Sequence, residues 1–269
     1  MAAPRTVLLT GAAGAVGTMM RELLPPYGHE LRLLDVNPVP GAPDAVRADL
    51  ADRAALREAA RGVDAIVHLA GISLEADFEK ILAVNIAGTH HLYEAAREEG
   101  VRRVVFASSN HAVGFTRRPR EGEPPVPVGT PHRPDTFYGL SKCFGEDLAQ
   151  LYWDRHGIET VSLRIGSCTP EPTSARMLST WLSPADCARL VHASLTARDV
   201  AHTVVYGSSA NTRAWWDVSA ARALGYAPED DAEAYAEKIV AEQGPLVEGS
   251  PDDLYVGGQF CADAPRWAH

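Results

Sequence analysis

Tyr138 and Lys142 stand four residues apart in Tyr138-Gly139-Leu140-Ser141-Lys142, a spacing that puts both side chains on one face of a helix. A free tyrosine has a pKa of about 10, so acting as a base near neutrality requires a drop of roughly 3 units, about 4 kcal/mol. A neighbouring ammonium and a bound cation carry the sign of charge that lowers it. Lys80, Lys142 and Lys238 are the only lysines in the 269 residues, so chance poorly explains one at this spacing. Alone, a Tyr-x-x-x-Lys pair says little. It gains weight from Gly11-Ala12-Ala13-Gly14-Ala15-Val16-Gly17 upstream.

Those three glycines follow an apolar strand pattern and open a helix, the context of a dinucleotide-binding turn. Gly11 permits the tight turn, Gly14 lets backbone approach a pyrophosphate, and Ala15, Val16 and Gly17 begin a helix whose N-terminus faces that charge. A plain strand-helix turn packed by glycines would carry the same spacing. Asp35 separates the two. It closes the second strand pattern, where a carboxylate accepts hydrogen bonds from an adenosine ribose and repels a 2′-phosphate. With no Arg at position 36 or 37, NAD is expected over NADP, although Arg32 and Arg47 lie close in sequence. Asp49 and Leu50 are expected to flank the adenine, and Leu69, Ala70 and Gly71 to line the next strand end.

Alternating strand and helix patterns position these groups. Strands are expected at 6–10, 31–36, 45–48, 64–70, 103–107, 160–165 and 203–206. Helices are expected at 15–24, 52–61, 77–99, 136–156, 184–197, 214–224 and 231–242. The stretch 114–134, rich in Pro, Gly and Arg, reads as a loop over the site. Repeated alternation implies an α/β fold, a Rossmann-type doubly wound parallel sheet with a small C-terminal substrate-covering lobe. One dinucleotide-binding domain is expected over 1–269, with residues from about 166 contributing the lobe.

Composition narrows the function classes. A net charge of −10 argues against a nucleic-acid binder, which carries basic patches. Hydrophobic content of 46% with 22% charged residues is that of a soluble globular protein, and no apolar run reaches the length of a membrane span. Cys143, Cys168, Cys187 and Cys261 are widely spaced without matching His pairs, which fits reduced thiols and argues against a metal site. The N-terminus lacks the layout of a signal peptide, so a cytoplasmic enzyme is expected.

Ser108-Ser109-Asn110-His111 follows the fifth strand, at the sheet edge where ligands bind. Either serine could hold a substrate hydroxyl beside Tyr138. Read singly, His111 is a satisfied loop histidine, Arg164 a structural strand residue, Arg176 a solvated loop arginine, and Asn85 a bridge between backbone groups. Arg176 has a functional counterpart as a carboxylate clamp.

Longer motifs carry a resemblance. The glycine turn, Asp35 and the Tyr138/Lys142 pair resemble the extended short-chain dehydrogenase/reductase superfamily. Phe106-Ala107-Ser108-Ser109-Asn110-His111, Tyr138 to Glu146, Arg164 to Pro172, Arg176 to Trp181, Ser209-Ala210-Asn211 and Trp215-Trp216-Asp217 resemble the bacterial uronate dehydrogenases over nearly the whole chain. The loop 116–133, with Arg117-Arg118-Pro119-Arg120, departs from that likeness.

The resemblance implies NAD-dependent oxidation of an aldohexuronic acid, D-glucuronate or D-galacturonate, to its lactone. It implies Tyr138 as base, Lys142 as its partner and ribose anchor, and Ser109 as the hydroxyl on the reacting oxygen. Ser73, Asn110, His111 and Ser167 would contact sugar hydroxyls, Arg176 the substrate carboxylate, and Ile165 the nicotinamide. It also implies self-association into a homo-oligomer. The rival functions are a nucleotide-sugar epimerase or dehydratase of the same superfamily, which returns the hydride to the sugar, and a non-enzymatic NAD-sensing regulator on the same fold.

Overall fold

The structure, a computed structural model, describes residues 5–262. Short apolar runs form the strands and amphipathic segments the helices between them. In order these are β1 (Thr6–Thr10), α1 (Ala15–Leu23), β2 (Glu30–Asp35), β3 (Val46–Arg47), α2 (Arg53–Ala60), β4 (Ala65–His68), α3 (Phe78–Ile81), α4 (Gly88–Glu98), β5 (Arg103–Ser109), α5 (Phe137–His156) and β6 (Glu159–Ile165). Then come β7 (Ser167–Cys168), α6 (Met177–Thr180), β8 (Trp181–Leu182), α7 (Pro184–Thr196), β9 (His202–Gly207), α8 (Ser219–Ala223), α9 (Ala236–Gln243) and α10 (Pro251–Leu254). Among the described residues no helix is long and apolar enough to cross a membrane.

Seven strands form one parallel sheet in the order β3-β2-β1-β4-β5-β6-β9. The order reverses between β1 and β4, which opens a crevice at their carboxyl ends. Alternate residues feed two cores, as the period of a strand requires. Val7 and Leu9, Ala65 and Val67, and Val105 pack with Met20 of α1, Leu24 just past its end, and Leu190 and Val191 of α7. Leu8, Ile66, Val104 and Phe106 pack on the other face with Leu56, Leu92, Tyr93, Leu148 and Tyr152 of α2, α4 and α5. Each fully buried Leu, Ile or Val contributes about 1.5–3 kcal/mol, so both faces fix the strand register and hence the crevice.

Several elements differ from expectation. The helix expected at 77–99 is interrupted by a π-helical segment, Leu82–Ala87, where the Asn85 amide bonds Ile72 N and O outside the helix. The helix expected at 214–224 shrinks to α8 because Trp215 and Trp216 are buried beside Tyr206 and Val126. There the Trp215 carbonyl accepts from Val126 N and Asp217 N donates back to the Val126 carbonyl, an extended pairing that outcompetes helix. The helix expected at 231–242 begins as a 3-10 turn over Ala232–Tyr235. The paired short strands β7 and β8, and α10 with the turn Gly258–Cys261, carry too few residues to show periodicity.

The loop 114–134 does not cover the crevice. It clasps the C-terminal segment: Arg118 N donates to Leu254 O, Arg120 pairs with Asp253 at 3.0 Å, and Arg117 bridges Tyr255. What closes over the site is the C-terminal segment itself, through Phe260.

Candidate active site

Two cavities share Leu69, Gly71 and Ile72 and so form one trough along the carboxyl edge of the sheet. The first, about 350 Å³, collects Gly11, Gly14, Asp35, Asp49, Leu50, Leu69, Ala70 and Gly71. Gly11 has φ +73°, and a Cβ there would lie 2.6 Å from Ala70 N, so only glycine makes this turn. Gly17 lines neither cavity. A Cβ on it would meet Gly11 O at 2.0 Å, so its part is to seat α1 against the turn. The α1 N-terminus has no side-chain cap and no acidic residue in its first turn. Its free N–H groups at the trough suit a pyrophosphate.

Asp35 is buried, accepting Asn37 N at 2.8 Å and Ala13 N at 2.9 Å. These two bonds fix its carboxylate in the cavity wall and leave lone pairs for a ribose. The two nearby arginines are engaged elsewhere: Arg32 donates to the carbonyls of Ala59 and Arg61, and Arg47 Nε to Val36 O. Asp49 turns its carboxylate to Ala51 N, with Leu50 beside it in the wall. The glycine cradle, the uncapped helix and the guarded carboxylate fit a dinucleotide lacking a 2′-phosphate.

The second cavity, about 450 Å³, gathers Ala15, Val16, Ser73, Ser109, Asn110, His111, Tyr138, Lys142, Ile165, Ser167 and Arg176. Thr136 caps α5 by accepting Gly139 N, and the Glu75 carboxylate receives Tyr138 N at 3.0 Å, which sets the first turn bearing Tyr138. Lys142 Nζ lies 5.4 Å from the centre of the Tyr138 ring and donates to Ala107 O at 2.7 Å. Burial pushes Lys142 down to about 8. Tyr138 shifts upward in the protein alone. Burial, and more weakly the Asp135 charge, outweigh the Ser109 hydrogen bond and push it up to about 12. The protein's groups do not supply the drop that a tyrosine base needs.

The two serines divide. Ser108 Oγ donates to Glu146 at 2.5 Å within a buried network where Arg164 binds Glu146 at 3.0 and 2.8 Å. Arg164 is structural, as its strand position implied. Ser109 Oγ accepts His111 N and meets the Tyr138 phenol. Asn85 bridges Ile72 and Ser141, also as expected. Asn110 donates to Val256 O, and Ser167 Oγ pairs with Thr180 Oγ1 at 3.0 Å.

Arg176 is no solvated loop arginine. Its side chain is largely buried, 14% exposed, its Nη2 donates to Val256 O, and Asp252 stands 3.7 Å away. Its Nε has no hydrogen-bond partner, and burial pushes its pKa down. A buried guanidinium in a cavity wall suits a carboxylate ligand.

Sequence reasoning missed Asp135, Glu75, Phe260 and the Val256 carbonyl. Phe260 stacks on His111 with ring centres 3.8 Å apart, yet it sits in a short C-terminal turn with no periodic signal. Cys168 lies on the cavity wall, while Cys143 donates to Ala112 O, and all four thiols are free. Among the described residues no group of three or more His, Cys, Asp or Glu could hold a metal.

Comparison with known proteins agrees with this arrangement. The pattern of the NAD dependent epimerase/dehydratase family matches residues 7–235. The uronate dehydrogenase of Pseudomonas syringae pv. tomato is 49% identical over 96% of this chain and 94% of its own. The crystal structure of a glucuronic acid dehydrogenase from Chromohalobacter salexigens superposes with a TM-score of 0.91 at 44% identity, covering 97% of this chain and 98% of that one. A tyrosine-to-alanine variant of uronate dehydrogenase from Agrobacterium tumefaciens, complexed with NAD, gives a TM-score of 0.91 at 45% identity over 99% of this chain and 100% of that one. The chain therefore belongs to the NAD-dependent epimerase/dehydratase family and, within it, to the uronate dehydrogenases.

Proposed function

We propose that the protein oxidises the cyclic hemiacetal of a hexuronic acid at C1, with D-glucuronate and D-galacturonate as substrates and the aldarolactone as product. The observation that carries this reading is the pairing, in one cavity, of the Tyr138 phenol with the buried Arg176 guanidinium. The first serves an alcohol oxidation and the second a carboxylate.

Gly11, Gly14 and the α1 N-terminus would hold the pyrophosphate of NAD, Asp35 the adenosine ribose, and Ile165 and Lys142 the nicotinamide end. Bound there, NAD supplies the acceptor for the hydride that leaves C1. Tyr138, as phenolate, takes the proton of the anomeric hydroxyl while Ser109 hydrogen-bonds the same oxygen. The C1–O bond gains its second bond as C1–H breaks, so the ring ester forms directly. Protonated Lys142 and a nicotinamide cation carry the charge that offsets the upward push on Tyr138. Arg176 anchors the far carboxylate, and residues from about 166 onwards supply this substrate side of the cavity. Oxidation of a free aldehyde to an acid would call for a nucleophile such as a thiolate. A hemiacetal needs only base and hydride acceptor, so Cys168 has no covalent part.

Proton NMR of the reaction with D-glucuronate and NAD tests this reading. It should show a lactone before the open dicarboxylate. An epimerised sugar with no net NADH would overturn it in favour of the epimerase chemistry of the wider family.

A further inference from the structure

Asp135 lies three residues before Tyr138, and its side chain has no solvent exposure. Three glycines from different segments make room for it. A Cβ at Gly114 would meet its Oδ2 at 1.9 Å, at Gly257 at 2.1 Å, and at Gly139 its Oδ1 at 2.9 Å. The backbone after β5, the first turn of α5 and the C-terminal segment thus all close on one carboxylate. A buried carboxylate is costly unless hydrogen-bonded. Its partners are His111 Nδ1 at 2.6 Å, Thr136 Oγ1 at 2.9 Å and Cys261 Sγ at 3.9 Å. Among the described residues no lysine or arginine pairs with it.

A carboxylate only accepts hydrogen bonds, so His111 must carry its proton on Nδ1. The imidazole plane is held from the other side by Phe260. We propose that Asp135 is a positioning residue that locks His111 as the Nδ1–H tautomer, so that Nε2 meets the substrate cavity as an acceptor for a sugar hydroxyl. Burial pushes His111 below its ordinary pKa, against the upward pull of the Asp135 hydrogen bond and charge. Without the carboxylate, a neutral imidazole prefers the opposite tautomer, and Nε2 becomes a donor facing the wrong partner. Loss of a tautomer-fixing carboxylate in this way is known to disable a histidine whose position is unchanged. The proposal rests on the sugar-binding role of the cavity, but its tautomer can be read without any sugar.

Long-range proton–nitrogen NMR of the histidine-labelled protein, with His111 identified by the signal missing from His111→Ala, reads the tautomer directly. The expected spectrum has a protonated Nδ1 and a bare Nε2, and an Nε2–H tautomer would overturn the proposal whether or not any variant folds. Asp135→Asn should raise KM for D-glucuronate roughly tenfold or more while NAD affinity holds. Adding Asp135→Asn to His111→Ala should cost nothing further, because both act through one ring. Additive losses would show that Asp135 acts elsewhere. If the parent turns over no uronate, the proposed substrate falls while the tautomer measurement still decides this inference.

Discussion

Ser108 and Ser109 are neighbours at the end of β5 whose hydroxyls meet different residues of the same helix, α5: one reaches the buried Glu146, the other the Tyr138 phenol. The period of a strand turns the two side chains apart, so adjacent identical residues keep different partners. Ser109→Ala should lower kcat/KM by roughly 100-fold through loss of a donor at the reacting oxygen. Ser108→Ala should leave turnover intact and lower unfolding free energy by about 1–3 kcal/mol. Steady-state kinetics beside urea unfolding of both variants would separate these roles. Equal kinetic losses would contradict the division.

Tyr138→Phe removes the phenol oxygen proposed as the proton acceptor and little else. Turnover should fall by about 10² to 10⁴, with NAD affinity held, because the ring still fills its place. Calorimetric titration with NAD alongside rate measurements checks both halves. Retained turnover would remove Tyr138 from the base role.

Arg176→Ala should raise KM for uronates roughly 10- to 150-fold, the equivalent of about 1.5–3 kcal/mol for a charged hydrogen bond. NAD binding should change far less, since Arg176 is absent from the first cavity, where the pyrophosphate and adenosine would sit. An unaltered KM would end the clamp assignment.

The strand-turn-helix at Gly11 and the Tyr138/Lys142 pair were legible because their signals are local: an apolar run, a glycine spacing, a helical repeat. Arg176, Asp135 and Phe260 were not, since tertiary packing makes their environment. Arg176 is buried by the C-terminal segment, roughly 80 residues away in sequence, and no pattern near it records that. The same holds for Trp215 and Trp216, whose helix-like surroundings yield to pairing with Val126. The upward push on Tyr138 is hidden from the sequence for a related reason. The ammonium at helical spacing is visible in sequence, but the burial that opposes it is not.

The network behind Ser108 gives a pH test. His132 Nε2 binds Glu146 at 2.8 Å, and the Cys143 sulfur and the Glu146 carboxylate push His132 up to about 10. The folded pKa lies above the ordinary 6.5, so the stabilisation is complete below pH 6.5 and fades as pH rises towards 10. His132→Ala should therefore lower Tm at pH 6 and differ little from the parent near pH 10. A Tm difference that is constant across this range would contradict the ion pair.

The central claim is tested most directly by NADH formation with D-glucuronate, D-galacturonate and D-glucose, each against NAD and NADP. Turnover of both uronates with NAD, slower turnover with NADP and none of glucose is the predicted result. Silence with both uronates, or glucose oxidised as fast as they are, would contradict it.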